Sequence, residues 1–211
     1  MAEVINVTEL RKNLLKEINC LKQKKEIIIT KDYTTAAVLS YIDIYKTQKQ
    51  LPSLIVLGAK KCPDTYAFKT INSINSICKK YYSKVIFVYG DATKKYRSNF
   101  KTDDLRTVYN KKNNLPIITS LKCGITALSS SDKYFVVVFL SQPQDKKTLI
   151  IISKATIKSG NKIIISRKNG KTVHPIVFSA DFKNILIKTR KELGIPHIIK
   201  KFKDKIMYVN I

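Results

Sequence analysis

From Leu51 to the end of the chain, short apolar runs alternate with longer stretches in which apolar residues recur at helical spacing. LIVLGA, KVIFVYG, LRTVYN, YFVVVFL, KIIISR, the hairpin-like HPIVF and the terminal KIMYVNI read as strands. Helices are expected between them, near 70–82, 120–128, 147–159, 180–187 and 196–202. Runs such as Tyr134–Leu140 are apolar at nearly every position rather than at every second one, as strands covered on both faces must be. Buried strands interleaved with helices predict a three-layer α/β sandwich over residues 52–211.

The first fifty residues follow another order: strand, helix, strand, strand, helix. Val4–Val7 is a short β-type run, and Thr8 is placed to cap the helix that follows, its hydroxyl accepting a free amide. Leu10, Leu14, Leu15, Ile18 and Leu21 then form one apolar face on a helix reaching about Gln23. EIIIT at 26–30 and TAAVLSY at 35–41 are β-rich and separated by a turn at 31–34. A second helix is expected at 42–48, with a linker at 49–52. A helix and three short strands expose more apolar surface than a segment this small can bury alone, so dimerisation through residues 1–46 is expected.

Charge changes this picture only in part. The chain carries 40 Lys or Arg against 15 Asp or Glu, a formal charge of +25. Residues 1–50 hold nine basic and six acidic residues, net +3, which leaves +22 for the remainder. Clustered cations gain affinity for polyanions by releasing counterions, yet Lys far outnumbers Arg and a compositional bias toward Lys accounts for much of the excess. Cys20, Cys62, Cys78 and Cys123 are widely spaced, with only His174 and His197 to join them, so small reduced packing residues are expected rather than a zinc site. There is neither a long uncharged apolar run nor a basic stretch leading into an apolar one at the start, and a cytoplasmic location without membrane partners is the expectation.

INVTELRKNL, EIIITKD and TAAVLSYIDIY resemble the Phd/YefM antitoxins, over residues 3–46 and with the spacing kept. The resemblance implies an α+β module, here residues 1–48, that forms a homodimer and binds operator DNA. Thr8, Arg11, Asn13 and Lys31 are its candidate DNA contacts: Arg11 can reach a guanine edge, Asn13 an adenine or phosphate, and Lys31 the backbone. The family's toxin-neutralising tail has no counterpart, because a second domain stands in its place.

NLPIITSLKCGITAL, then SSSDKYFVVVFLSQP, then NGKTVHPIVFS resemble motifs of the MobA-like nucleotidyltransferases, in their order. That resemblance implies a Rossmann-like nucleotidyltransferase sandwich. It also implies a reaction that moves a nucleotide from CTP or GTP onto molybdopterin, the pterin of the molybdenum cofactor, with Mg²⁺. Ser120, Gly124, Gln142 and His174 keep residue types of its nucleotide site, as do Pro143, Gly170 and Pro175; Lys69 matches the final lysine of the family's opening signature, and Gly58 suits the tight turn there. Five positions depart. Asp64 stands where the family has the Arg that faces pyrophosphate, Lys60 and Tyr66 replace glycines, Cys62 replaces a serine, and Ser141 stands where a metal-holding Asp is expected. Glu192 in KELG aligns with the Asp of G-D-x-G, leaving Lys69 and Glu192 as candidate catalytic groups and Glu192 as the candidate metal ligand.

Three readings fit these residues. One is a degenerate, inactive nucleotidyltransferase domain fused to a DNA-binding dimerisation module, acting as a regulator or scaffold. Another is an active nucleotidyltransferase using Mg²⁺ with CTP or GTP. The third is a structural dimer with no ligand.

Overall fold

The computed structural model describes residues 3–6, 8–9, 12–13, 26–31, 34–40, 51–112, 115–158, 163–190 and 192–211. The chain divides into two units, Met1–Lys49 and Gln50–Ile211.

In the first unit β1 (Glu3–Asn6), β2 (Glu26–Lys31) and β3 (Thr34–Ser40) form a sheet in that order. β1 and β2 are parallel, which demands a crossover connection, whereas β2 and β3 form the antiparallel pair expected of EIIIT and TAAVLSY. Thr8, Glu9, Lys12 and Asn13 are helical and exposed. The cap differs from expectation: the Asn6 side chain accepts the Glu9 amide at 2.8 Å, and Thr8 already lies inside the helix. Lys31 ends β2 rather than sitting in the turn. Arg11, Cys20, most of the first helix and the helix expected at 42–48 lie outside the described residues.

The second unit is built on a seven-stranded sheet. Its strands are β4 (Ser53–Gly58), β5 (Val85–Tyr89), β6 (Leu105–Tyr109), β7 (Tyr134–Phe139), β8 (Ile163–Lys168), β9 (Lys171–Ser179) and β10 (Ile206–Asn210). The order across the sheet is β10-β8-β9-β7-β4-β5-β6. β4 pairs in parallel with both β5 and β7, while β9 runs antiparallel to β7 and β8. The Asn169–Gly170 pair, at φ 49° and 75°, turns β8 into β9, the left-handed pair that a two-residue hairpin requires.

Alternate residues of each strand feed two separate cores. Leu54, Val56, Phe87, Val136 and Val138 pack against α1 (Asp64–Tyr81) and α3 (Lys146–Lys158). Ile55, Leu57, Val88, Phe135 and Val137 pack against α2 (Ile117–Thr126), α4 (Phe182–Lys188) and α5 (Gly194–Lys201). This is the three-layer sandwich that the continuously apolar strands predict. One crossover differs. Between β5 and β6 the chain forms a 3₁₀ helix, Asp91–Asn99, which buries Thr93 and Tyr96 and has too few apolar residues to signal itself in the sequence.

Two glycines are fixed by packing. A Cβ at Gly124 would lie 2.6 Å from Ile55 Cγ2, and one at Gly58 would lie 2.5 Å from Phe87 Cε2. Gly124 therefore lets α2 lie close on the sheet, a role that needs no ligand. Cys62 and Cys78 are buried, Cys123 is partly buried, and all three are free thiols, in keeping with packing roles. No helix among the described residues is long and apolar enough to cross a membrane.

Candidate functional site

The strand order changes direction at β4, with β5 on one side and β7 on the other. In open α/β sheets the crevice beyond the carboxyl ends of the strands at such a point is the place where ligands bind. Here that edge carries the loops after Gly58, Tyr89, Tyr109 and Phe139.

The loop after β4 is held from the side. Thr93 Oγ1 donates to the Gly58 carbonyl and accepts the Gly90 amide at 3.2 Å, so the 3₁₀ helix fastens the end of β4. Asp64 opens α1 and accepts Tyr96 OH at 2.6 Å and Lys95 Nζ at 2.9 Å. The bond from Tyr96, then that from Lys95, hold its carboxyl below the usual range. Burial and the bond to Asp64 push the Tyr96 phenol up to about 12. Asp64 is thus a tie between α1 and the 3₁₀ helix. Lys60 and Lys61 stand exposed in the loop itself, whereas Lys69 lies further along α1 on its exposed side.

A groove of about 450 Å³ opens beyond β7, bounded by Tyr66, residues 141–145, Lys147, Thr148 and Ile151, the hairpin residues Lys168, Val173 and His174, and Ile211. It brings Ser141, Gln142 and His174 together. The His174 ring packs 4.1 Å from that of Phe139, centre to centre. Its Nδ1 is buried without a hydrogen-bond partner. Burial lowers its pKa, against the pull of a bond to the Val137 backbone, so it presents a neutral imidazole at pH 7.

The same groove contains groups that the sequence reading passed over: Asp145, Lys147 and Lys168. Asp145 caps α3, taking the Thr148 amide on Oδ1 and the Thr148 hydroxyl on Oδ2, both at 2.8 Å. Burial alone would raise its pKa, but these bonds outweigh it and hold the carboxyl low. Its signal was present as D-x-x-T before an apolar run, an N-cap pattern.

Other candidates lie elsewhere. Ser120 is buried and accepts Asn110 Nδ2 at 3.0 Å, so it braces α2 against the end of β6. Glu192 is exposed in the turn before α5, and its neighbours Arg190 and Leu193 line a separate cleft of about 280 Å³ with Lys188, His197 and Lys201. The structure therefore does not gather Lys69, Ser120, Gly124 and Glu192 around the His174 groove. Among the described residues no group of three or more His, Cys, Asp or Glu side chains could hold a metal ion. Among the described residues Asp145 is the one acidic side chain lining the groove, and both its oxygens are engaged. Such a donor set does not fit the Mg²⁺ that the nucleotidyltransferase resemblance implies.

No protein-family model matches the chain, and no curated protein does. Solved structures do match in fold. The Rv0371c protein of Mycobacterium tuberculosis superposes with a TM-score of 0.64 at 15% identity, covering 77% of this chain and 89% of that one. The 4-diphosphocytidyl-2C-methyl-D-erythritol synthase of Anaerococcus prevotii gives 0.61 at 13% identity, covering 77% and 89%. A nucleotidyl transferase from Methanothermobacter gives 0.55 at 15% identity, covering 76% and 87%. The seven-stranded unit of this chain accordingly has a nucleotidyltransferase-like α/β fold.

Proposed function

We propose that residues 52–211 are a degenerate, inactive member of the nucleotidyltransferase fold that binds a nucleotide without turning it over. In this reading the domain serves as the sensing or scaffolding half of a regulator, whose residues 1–48 are a Phd/YefM-like module that dimerises and binds operator DNA. The observation that carries it is the state of the carboxylates. Asp64 is bound by Lys95 and Tyr96, Asp145 is spent as a helix cap, and Ser141 supplies no charge where a metal-holding acid would stand. Lys147 and Lys168 leave the groove with cations for a phosphate. In-line displacement at a triphosphate needs the charge of the leaving pyrophosphate to be neutralised, and little here would do so.

Calorimetric titration of the full chain with CTP and GTP should show binding that does not depend on Mg²⁺. With Mg²⁺ and molybdopterin added, pyrophosphate release should stay below about one per minute, against typical enzyme rates near 10 per second. Release above that level would make the chain a working enzyme.

The regulator half is tested by duplex binding at physiological salt. A dimer carrying two copies of Thr8–Asn13 should prefer a palindromic sequence from its own promoter to random duplex, and Arg11→Ala should remove that preference, by about 1–3 kcal/mol. Equal loss of both duplexes as salt rises, with no preference at any point, would refute the operator role.

A further inference from the structure

The 3₁₀ crossover leaves β6 unlike the other strands. β6 ends the sheet, and Leu105 and Thr107 on one of its faces line a shallow groove of about 510 Å³ with Lys94, Lys95, Arg97 and Ser98 of the 3₁₀ helix. Among the described residues no acidic side chain lines this groove. At its carboxyl end Tyr109, on the same face as Leu105 and Thr107, is 42% exposed and lies beside Tyr89, its register partner on β5, with ring centres 5.5 Å apart. The Arg97 guanidinium sits 5.0 Å from the Tyr89 ring centre. Tyr109 OH donates to Asp91 at 2.8 Å, which fixes the ring. Lys111 and Lys112 follow Tyr109 in the chain and are exposed.

We infer that the groove along β6, with Lys94 and Arg97 on one wall and the Tyr109–Tyr89 pair at its end, binds single-stranded nucleic acid. A row of cations tracking an extended groove, closed by an aromatic shelf, is what phosphates and an unpaired base need together. Lys95 is occupied by Asp64, so Lys94, Arg97, Lys111 and Lys112 are the phosphate contacts and Tyr109 is the stacking group. The net +22 of residues 51–211 adds a long-range field that favours a polyanion. An acidic peptide could use the same cations and the free edge of β6, but it would leave the exposed tyrosine shelf without a role.

The test uses the full chain and labelled oligo-dT and oligo-U, with random duplex and poly-glutamate as competitors, read by fluorescence anisotropy. Both single strands should bind, and comparing them tells whether the 2′-hydroxyl contributes. Tyr109→Ala should weaken binding about five- to a hundredfold, while Tyr109→Phe, which keeps the ring and drops the bond to Asp91, should retain it. Lys94→Gln combined with Arg97→Gln should flatten the slope of log affinity against log salt by about 1.4. Arg11→Ala should leave single-strand binding unchanged, and Tyr109→Ala should leave CTP or GTP binding unchanged, so this groove and the His174 groove are judged separately. Full single-strand affinity in Tyr109→Ala, or equal competition by poly-glutamate or duplex, overturns the inference.

Discussion

Replacing Asp132 by alanine is expected to cost the seven-stranded unit about 3–5 kcal/mol, with a fall in melting temperature on the order of 10 °C. Asp132 lies at the amino end of β7 and is 5% exposed. Its Oδ1 accepts Ser53 Oγ at 2.9 Å, and its Oδ2 accepts the Ser129 amide at 2.6 Å and Ser129 Oγ at 2.9 Å. Lys84 Nζ, 9% exposed, is 3.1 Å from the same oxygen. Removing the carboxylate leaves an ammonium buried without its counter-charge, and that penalty dominates the loss. Lys84→Met combined with Asp132→Leu should therefore recover much of the stability that the single change loses. Burial by itself raises the Asp132 pKa, but the bonds from Ser129, Ser53 and Lys84 outweigh it and hold the carboxyl below its ordinary value. A lowered folded-state pKa gives stability that is complete above the unfolded value of about 3.9 and is lost as pH falls through the folded one. The gap between wild type and Asp132→Asn should accordingly close on acidification below about pH 4, as followed by thermal melts. A gap that persists at low pH would mean that the side chain acts through shape rather than charge.

The fold was legible because burial on both faces writes itself directly into the chain. LIVLG and YFVVVF cannot lie anywhere but in the middle of a sandwich, and the structure puts them there as β4 and β7. What escaped was structure with no apolar period to announce it. The 3₁₀ helix Asp91–Asn99 buries Thr93 and Tyr96 within a polar stretch, DATKKYRSN, and no pattern of 3.6 or 2 marks it. The groove beside His174 draws on segments some thirty residues apart, Ser141–Gln142 and His174, which no local spacing joins. Motif types alone could not say that Ser120 and Gly124 are consumed by packing, since Asn110 meets Ser120 from the end of another strand and Ile55 meets Gly124 from a strand far off in sequence. The partners of Asp64 were hidden for the same reason, because they belong to the unannounced 3₁₀ helix some thirty residues downstream.

That tie decides how the proposed nucleotide site should be rebuilt. By sequence the natural repair is Asp64→Arg together with Ser141→Asp, restoring the cation and the metal ligand. In the structure Asp64→Arg would set an arginine against Lys95 and free Tyr96, so the change would disturb the loop after β4 before any phosphate arrived. Ser141 is exposed and lines the His174 groove with Asp145, and it carries no packing duty. Ser141→Asp alone is therefore the cleaner repair. It adds a carboxylate to a groove that has one acidic side chain, and a divalent ion could then be shared between protein and triphosphate. Affinity for CTP or GTP should rise about tenfold in Mg²⁺, roughly 1.4 kcal/mol, and should fall slightly in its absence because the new charge repels phosphate. Titration calorimetry with and without Mg²⁺ reads both effects. Turnover should remain undetectable, since the cation that neutralises the leaving pyrophosphate is still missing. If Ser141→Asp gains no dependence on Mg²⁺, the triphosphate does not pass through the groove beside His174 and the site must be sought elsewhere on the sheet edge.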